Sequence, residues 1–130
     1  MHSGSCLCSA VRYEVDGDIR NVTHCHCSMC RKAHGTAFAS YGAVKREQFH
    51  LLQGEDHLAS YISSEGVTRR FCSACGANLL WFSEQRFPEW LSLAIGTLDT
   101  PFVPTKQRHI HVASKADWHV IRDDWPQLLD

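Results

Sequence analysis

The chain has 130 residues and a formal net charge of −1, with 21% charged and 44% hydrophobic residues. That length suits one domain with one core, and the charged fraction is too ordinary for a disordered chain. No Lys/Arg run is present to follow phosphates or anionic headgroups, and no apolar run is long enough to span a bilayer, so neither nucleic acid nor membrane is an expected partner. The segment Met1-His2-Ser3-Gly4-Ser5-Cys6 lacks the basic-then-apolar pattern of a signal peptide. The expected location is therefore cytoplasmic, where thiols stay reduced.

Val11-Arg12-Tyr13-Glu14-Val15-Asp16 alternates apolar and polar residues, the pattern of a half-buried strand, and Gly17-Asp18 ends it. Ser28 is placed to cap a short helix over Met29–His34, with Gly35 as its C-terminal stop. Thr36–Val44, Leu58–Ser63 and Val67–Phe71 read as strands. Cys72–Gly76 reads as a knuckle between strands, Gly76 permitting the turn after Cys75. Leu79-Leu80-Trp81-Phe82 is a continuous apolar run that predicts a strand buried on both faces. Leu91, Leu93 and Ile95 alternate with small residues in another strand. Pro101 and Pro104 mark a loop, and Ile110–Ala113 a last strand. With no long amphipathic helix, internal repeat or linker, residues 1–130 read as a single small, mainly β domain with one or two short helices.

The seven cysteines fall into three groups: Cys6-Leu7-Cys8, Cys25-His26-Cys27-Ser28-Met29-Cys30 and Cys72-Ser73-Ala74-Cys75. An odd count forbids full pairing within one chain, and gaps of one and two residues suit convergence on an ion better than disulfides. Tetrahedral zinc with bonds of about 2.3 Å needs its sulfurs within roughly 4 Å of each other, which a tight C-x-x-C turn or a strand-end C-x-C supplies. Cys25, Cys27 and Cys30 can close on one zinc without help from distant chain. Cys6, Cys8, Cys72 and Cys75 then make a four-ligand set, the usual count for a structural zinc. That ion would tie the N-terminal strand to a mid-chain hairpin, and much of the fold's stability would depend on it. A scatter of buried thiols is the plainer alternative. A redox C-x-x-C would sit near a βαβ pattern, and none is present.

Gly4-Ser5-Cys6-Leu7-Cys8 with Val11-Arg12-Tyr13, then His24-Cys25-His26-Cys27-Ser28-Met29-Cys30-Arg31-Lys32-Ala33-His34-Gly35, resembles the glutathione-dependent formaldehyde-activating enzyme family, which includes centromere protein V. Phe71 to Leu79, Gly96-Thr97-Leu98-Asp99, and His109 to Lys115 running on to Trp118 continue the resemblance over nearly the whole chain. Position 9 is Ser where the family often has Gly. The resemblance implies a β-tent fold of folded antiparallel sheets, a structural zinc on Cys6, Cys8, Cys72 and Cys75, and a catalytic zinc on Cys25, Cys27 and Cys30. The implied reaction adds the sulfur of glutathione to formaldehyde, giving S-hydroxymethylglutathione. In reverse this is a carbon–sulfur lyase reaction, and the implied role is formaldehyde detoxification with a small thiol and a small aldehyde as partners.

A zinc with three protein ligands keeps one position for an incoming thiol or a carbonyl oxygen, and for the same reason is the more easily lost of the two. Three thiolates blunt its Lewis acidity, which favours carrying a thiolate over activating a carbonyl. His24 and His26 alternate with Cys25 and Cys27 and would point away from the sulfurs in an extended segment. His26 as a fourth ligand would close the site. His34 lies one turn beyond Cys30, within reach of the open position, yet reads more simply as a histidine at a helix C-terminus. Arg31 and Lys32 either face the carboxylates of glutathione or form a solvated helix face. Trp81, Trp90, Trp118 and Trp125 read as packing residues, and His109 and His111 as partly buried neighbours on one strand face. Asp99, Asp123 and Asp124 carry no identifiable base role. Competing classes are a non-catalytic zinc-stabilised module binding glutathione or a protein partner, a chaperone-like module with a filled fourth position, and a methionine sulfoxide reductase, which needs a cysteine outside the metal sets.

Overall fold

A computed structural model describes all 130 residues. Its strands are β1 (His2–Ser5), β2 (Arg12–Val15), β3 (Arg20–Cys25), β4 (Ala39–Lys45), β5 (Phe49–Gln53), β6 (Leu58–Ser64), β7 (Val67–Cys72), β8 (Asn78–Phe82), β9 (Trp90–Ala94) and β10 (Gln107–Ile110). One α-helix, α1 (Ser28–His34), follows β3. The strands form a small sheet in the order β1-β2-β5 and a large one in the order β10-β3-β4-β9-β8-β7-β6. Every pairing is antiparallel except β10 with β3, so the mainly β expectation holds. No helix is long and apolar enough to cross a membrane.

The alternation in β2 does what its pattern implies: Tyr13 and Val15 are buried, with Val11 just before them. These side chains belong to one core with Val44, Leu79, Leu91 and Leu93 of the large sheet, and Cys6 and Cys72 lie in that core. Tyr13 crosses over β1 at Gly4, and its hydroxyl reaches Thr97 Oγ1 at 2.7 Å. A Cβ at Gly4 would collide with the Tyr13 ring and lie 2.6 Å from the Thr97 carbonyl oxygen. Gly4→Ala is therefore expected to cost about 1–3 kcal/mol through overpacking. Urea denaturation checks this, and an unchanged midpoint would refute it.

Several predicted elements shift. In β8 Leu79 and Leu80 are buried but Trp81 and Phe82 only half-buried. Phe82 lies beneath the Arg46 guanidinium, 4.9 Å from its ring centroid, so this strand is covered by a charged stem rather than a second apolar layer. The predicted strand over Ile110–Ala113 overlaps β10 only at Ile110. His111 takes a left-handed φ of 54°, and Val112–Ser114 form one short helical turn. β1, β3 and β5 carry no clean alternation and were not predicted as strands. The C-terminal segment returns along the free edge of β10: His109 N–H donates to Pro126 O at 2.8 Å and Leu128 N–H to His109 O at 2.9 Å.

Candidate metal centres and the cavity beside them

Cys6 and Cys8 sit in the turn after β1, Cys72 ends β7, and Cys75 lies in the following knuckle. Their four sulfurs lie within 4.8 Å of one another. The Cys6–Cys8 separation is 3.7 Å and the Cys8–Cys72 separation 3.8 Å. A tetrahedron with metal–sulfur bonds of about 2.3 Å has edges of about 3.8 Å, so the set fits a zinc-sized ion. The backbone builds both halves. Val11 N–H donates to Cys6 Sγ at 3.2 Å, and Cys6 N–H to Val11 O at 3.1 Å. Ser9 holds a left-handed φ of 67°, a conformation glycine adopts without steric cost. In the knuckle Gly76, with φ 80°, donates its N–H to Cys72 O at 2.7 Å.

The second set is local. Cys25 ends β3, Cys27 precedes α1, and Cys30 lies in its first turn, with all three sulfurs within 4.8 Å of one another. The helix cap is Cys27 rather than the predicted Ser28: its sulfur accepts the Cys30 N–H at 3.3 Å, and Ser28 is the first helical residue. Gly35 terminates α1 as predicted, with φ 63° and its N–H on Arg31 O. Hydrogen bonds from Cys25 and Cys30 hold the Cys27 thiol well below the ordinary thiol range, while the same contacts push Cys25 up. Either cysteine set could hold a metal ion.

Arg69, on β7, completes the surroundings of the three thiols. It is 6% exposed, and its guanidinium donates to Cys30 Sγ at 3.6 Å, Tyr41 Oη at 3.2 Å and Ser63 Oγ at 2.9 Å. It forms no ion pair with a carboxylate. A buried guanidinium needs countercharge, and here the thiolates are the groups placed to give it. Because the guanidinium can only donate, Tyr41 Oη accepts from it and donates its proton to His34 Nε2 at 2.8 Å. Burial, then the Arg69 charge, lowers the His34 pKa, so His34 stays a neutral acceptor.

These groups line a cavity of about 450 Å³. The sulfurs of Cys25, Cys27 and Cys30 lie on one side with Tyr41 and Arg69. Trp81, Arg86, Phe87, Arg108 and His111 complete the charged and aromatic part of the wall. No aspartate or glutamate lines it. The Arg86 guanidinium sits 5.7 Å from the Trp81 ring centroid and 5.8 Å from that of Phe87, so aromatic faces support a cation at the wall.

The family model for glutathione-dependent formaldehyde-activating enzymes matches residues 1–114. This chain belongs to that family. A Halomonas elongata protein provisionally named a glutathione-dependent formaldehyde-activating enzyme is 30% identical over 122 residues, spanning 88% of this chain and 77% of the relative. A crystal structure of a Rhodobacter sphaeroides protein superposes with a TM-score of 0.65 at 23% identity, covering 78% of this chain and 97% of that one. That likeness shows a shared fold.

For this member of the glutathione-dependent formaldehyde-activating enzyme family, the structure separates the sequence-predicted residues. It brings the seven cysteines together in the two predicted sets. Arg31 and Lys32 stay on α1 outside the cavity wall: Arg31 Nε bonds the His26 carbonyl at 3.3 Å, and Lys32 is exposed. His26 is fully buried on the side of β3 away from the thiols, 2.7 Å through Nε2 from His109 Nδ1, and is no member of the three-thiol group. Burial pushes His26 down to about 4. His109 is fully rather than partly buried, and His111 does not share its strand face, being exposed on the cavity wall. Trp125 does pack, stacking on His24 at 5.2 Å. Sequence reasoning missed Arg69, although a signal existed: it occupies the inward phase of β7, two residues after the buried Val67. It also missed Arg86 and Arg108, which loops and a short strand carry to the cavity from distant segments.

Proposed function

We propose that the protein is a zinc-dependent enzyme joining the thiol of glutathione to formaldehyde, yielding S-hydroxymethylglutathione, and acting as a carbon–sulfur lyase in the reverse direction. The observation that carries this reading is a three-thiol set opening on a cavity whose other charged wall groups are guanidiniums. Cys25, Cys27 and Cys30 would hold the catalytic zinc, and Cys6, Cys8, Cys72 and Cys75 a structural one. Bound there, the catalytic zinc would supply an open coordination position that keeps an incoming thiol ionised. The cavity volume is in the range that holds small organic ligands.

The chain's own groups then have distinct tasks. Arg86 and Arg108, exposed on the wall, pair with the two carboxylates of glutathione. Arg69 balances the thiolates from behind and keeps Cys30 fixed. Tyr41 Oη, which gives its proton to His34 Nε2 and accepts from Arg69, holds that guanidinium in place beside the sulfurs. Thiols add to formaldehyde readily unaided, so orientation of the two partners accounts for the modest acceleration required. Seven free thiols without a disulfide suit a reducing compartment, and we place the protein in the cytoplasm.

Zinc counting with and without glutathione tests this. The expected result is nearly two zinc ions per chain, one of them readily chelated. With cobalt in that weaker site, added glutathione changes the absorption spectrum. Arg86→Ala and Arg108→Ala should each raise KM for glutathione about fivefold, roughly 1 kcal/mol for an exposed charge pair, with kcat little changed. One zinc per chain, or a weaker site indifferent to glutathione, sinks the proposal.

A further inference from the structure

On the side of β3 opposite the thiols, three side chains bond in series. His109 Nε2 lies 3.0 Å from Asp123 Oδ2, and His109 Nδ1 lies 2.7 Å from His26 Nε2. An ionised carboxylate only accepts, so His109 carries its proton on Nε2 and gives that hydrogen bond to Asp123. In the neutral imidazole His109 Nδ1 is then a bare acceptor, and His26 donates to it from its own Nε2–H. That leaves His26 Nδ1 a lone pair, and this nitrogen is buried without a protein partner. An unpaired buried acceptor is better tolerated than an unpaired buried N–H, which agrees with the assignment. One carboxylate thus sets the tautomers of two histidines.

The inner histidine sits between two metal-ligand candidates. His26 lies between Cys25 and Cys27. Its N–H donates to Ile110 O at 3.0 Å, and its carbonyl accepts from Arg31 Nε at 3.3 Å. The ring bond to His109 removes the remaining rotation, so the residue separating the two thiols is held by its backbone and its side chain. Asp123 comes from the C-terminal segment that returns along β10, beyond residue 114 where the family match ends. Its own place is fixed by the Trp125 N–H, which donates to Asp123 Oδ1 at 3.1 Å.

We propose that Asp123 is a positioning residue for the three-thiol centre, acting through His109 to fix His26 and with it the spacing of the Cys25 and Cys27 sulfurs. This rests on the reading of Cys25, Cys27 and Cys30 as zinc ligands. It assigns a function in the site to a tail residue more than ninety positions away in sequence.

The test uses the full zinc-loaded chain and no turnover measurement. Nitrogen-15 NMR of the histidine rings should show His26 and His109 both protonated at Nε2. In Asp123→Ala that pattern is lost, and zinc leaves the three-thiol set for a chelator about tenfold faster, the effect expected on losing an outer hydrogen-bond partner of a metal site. Release from the four-thiol set stays unchanged. Asp123→Asn, which keeps an oxygen to accept the His109 proton, restores both readouts. Trp125→Ala loosens the tail without removing any of the three groups in series and leaves the tautomers as they were. Unaltered tautomers and release in Asp123→Ala, or equal acceleration at both zinc sets, would overturn the positioning role alone. A chain that binds a single zinc overturns the metal reading and this role with it.

Discussion

Cys75→Ser is expected to leave the chain without a cooperative melting transition, and removal of metal by a strong chelator to do the same to the native protein. The four-thiol set stands where the two sheets meet. Cys6 and Cys8 follow the first strand of the small sheet, while Cys72 and Cys75 close the β7–β8 connection of the large one. The backbone contacts of β1 outside its own sheet run to the loop after β9, through an isolated bridge between Gly4 and Leu98 and the Asp99 N–H on Ser3 O at 2.8 Å, and no strand of one sheet pairs with a strand of the other. Cys6 and Cys72 are also buried in the main core, so a free thiolate at either position would be a buried, unpaired charge. Structural zinc contributes an apparent 10–16 kcal/mol in small domains, about as much as the whole stability of a typical domain. Serine cannot replace a thiolate in that balance. Far-ultraviolet circular dichroism against temperature, with zinc counted per chain, gives the measurement. A Cys75→Ser protein that melts like wild type would show that the four sulfurs do not carry the fold.

How much of this was legible in the sequence follows from which forces act locally. The two cysteine sets were legible because metal geometry constrains spacing: C-x-C and C-x-x-C bring sulfurs together whatever the surrounding fold. The α1 stop at Gly35 and the β2 alternation were legible because each depends on residues a few positions apart. The cap at Cys27 was not, since a sulfur is an uncommon capping group and Ser28 stood beside it with the usual preference. β3 escaped because its burial is set on both sides by later chain: β4 covers one edge, and β10 returns in parallel to cover the other. A parallel pairing leaves no mark on either strand alone. The cavity wall was illegible for the same reason. Arg69, Arg86, Arg108 and His111 meet only after β6–β10 have folded, and a basic residue in a strand or loop looks like any solvated charge until its neighbours are known. Arg31 and Lys32, adjacent to the cysteines in sequence, drew the substrate expectation instead, yet α1 carries their side chains outside the cavity.

The contrasting result is expected at the other set. Cys27→Ser should retain the fold and lose the function. Cys27 Sγ has two separable roles here, accepting the Cys30 N–H as the cap of α1 and standing among the three sulfurs. Serine performs the first well, because its hydroxyl is among the preferred capping groups. It performs the second poorly, because a neutral hydroxyl is a weak ligand for a borderline-soft metal. Stability should therefore change by no more than about 1 kcal/mol, the size of a capping effect. The readily chelated zinc should disappear, the spectral response to glutathione with it, and turnover should fall at least about 100-fold, or some 2.7 kcal/mol of transition-state stabilisation. The pairing of outcomes is what discriminates. If both serine variants merely destabilise, the three-thiol set is a second structural site and a binding module is the better description of the protein. If Cys27→Ser keeps its turnover, the reaction is carried elsewhere in the cavity, and Tyr41 and His111 become the groups to replace next.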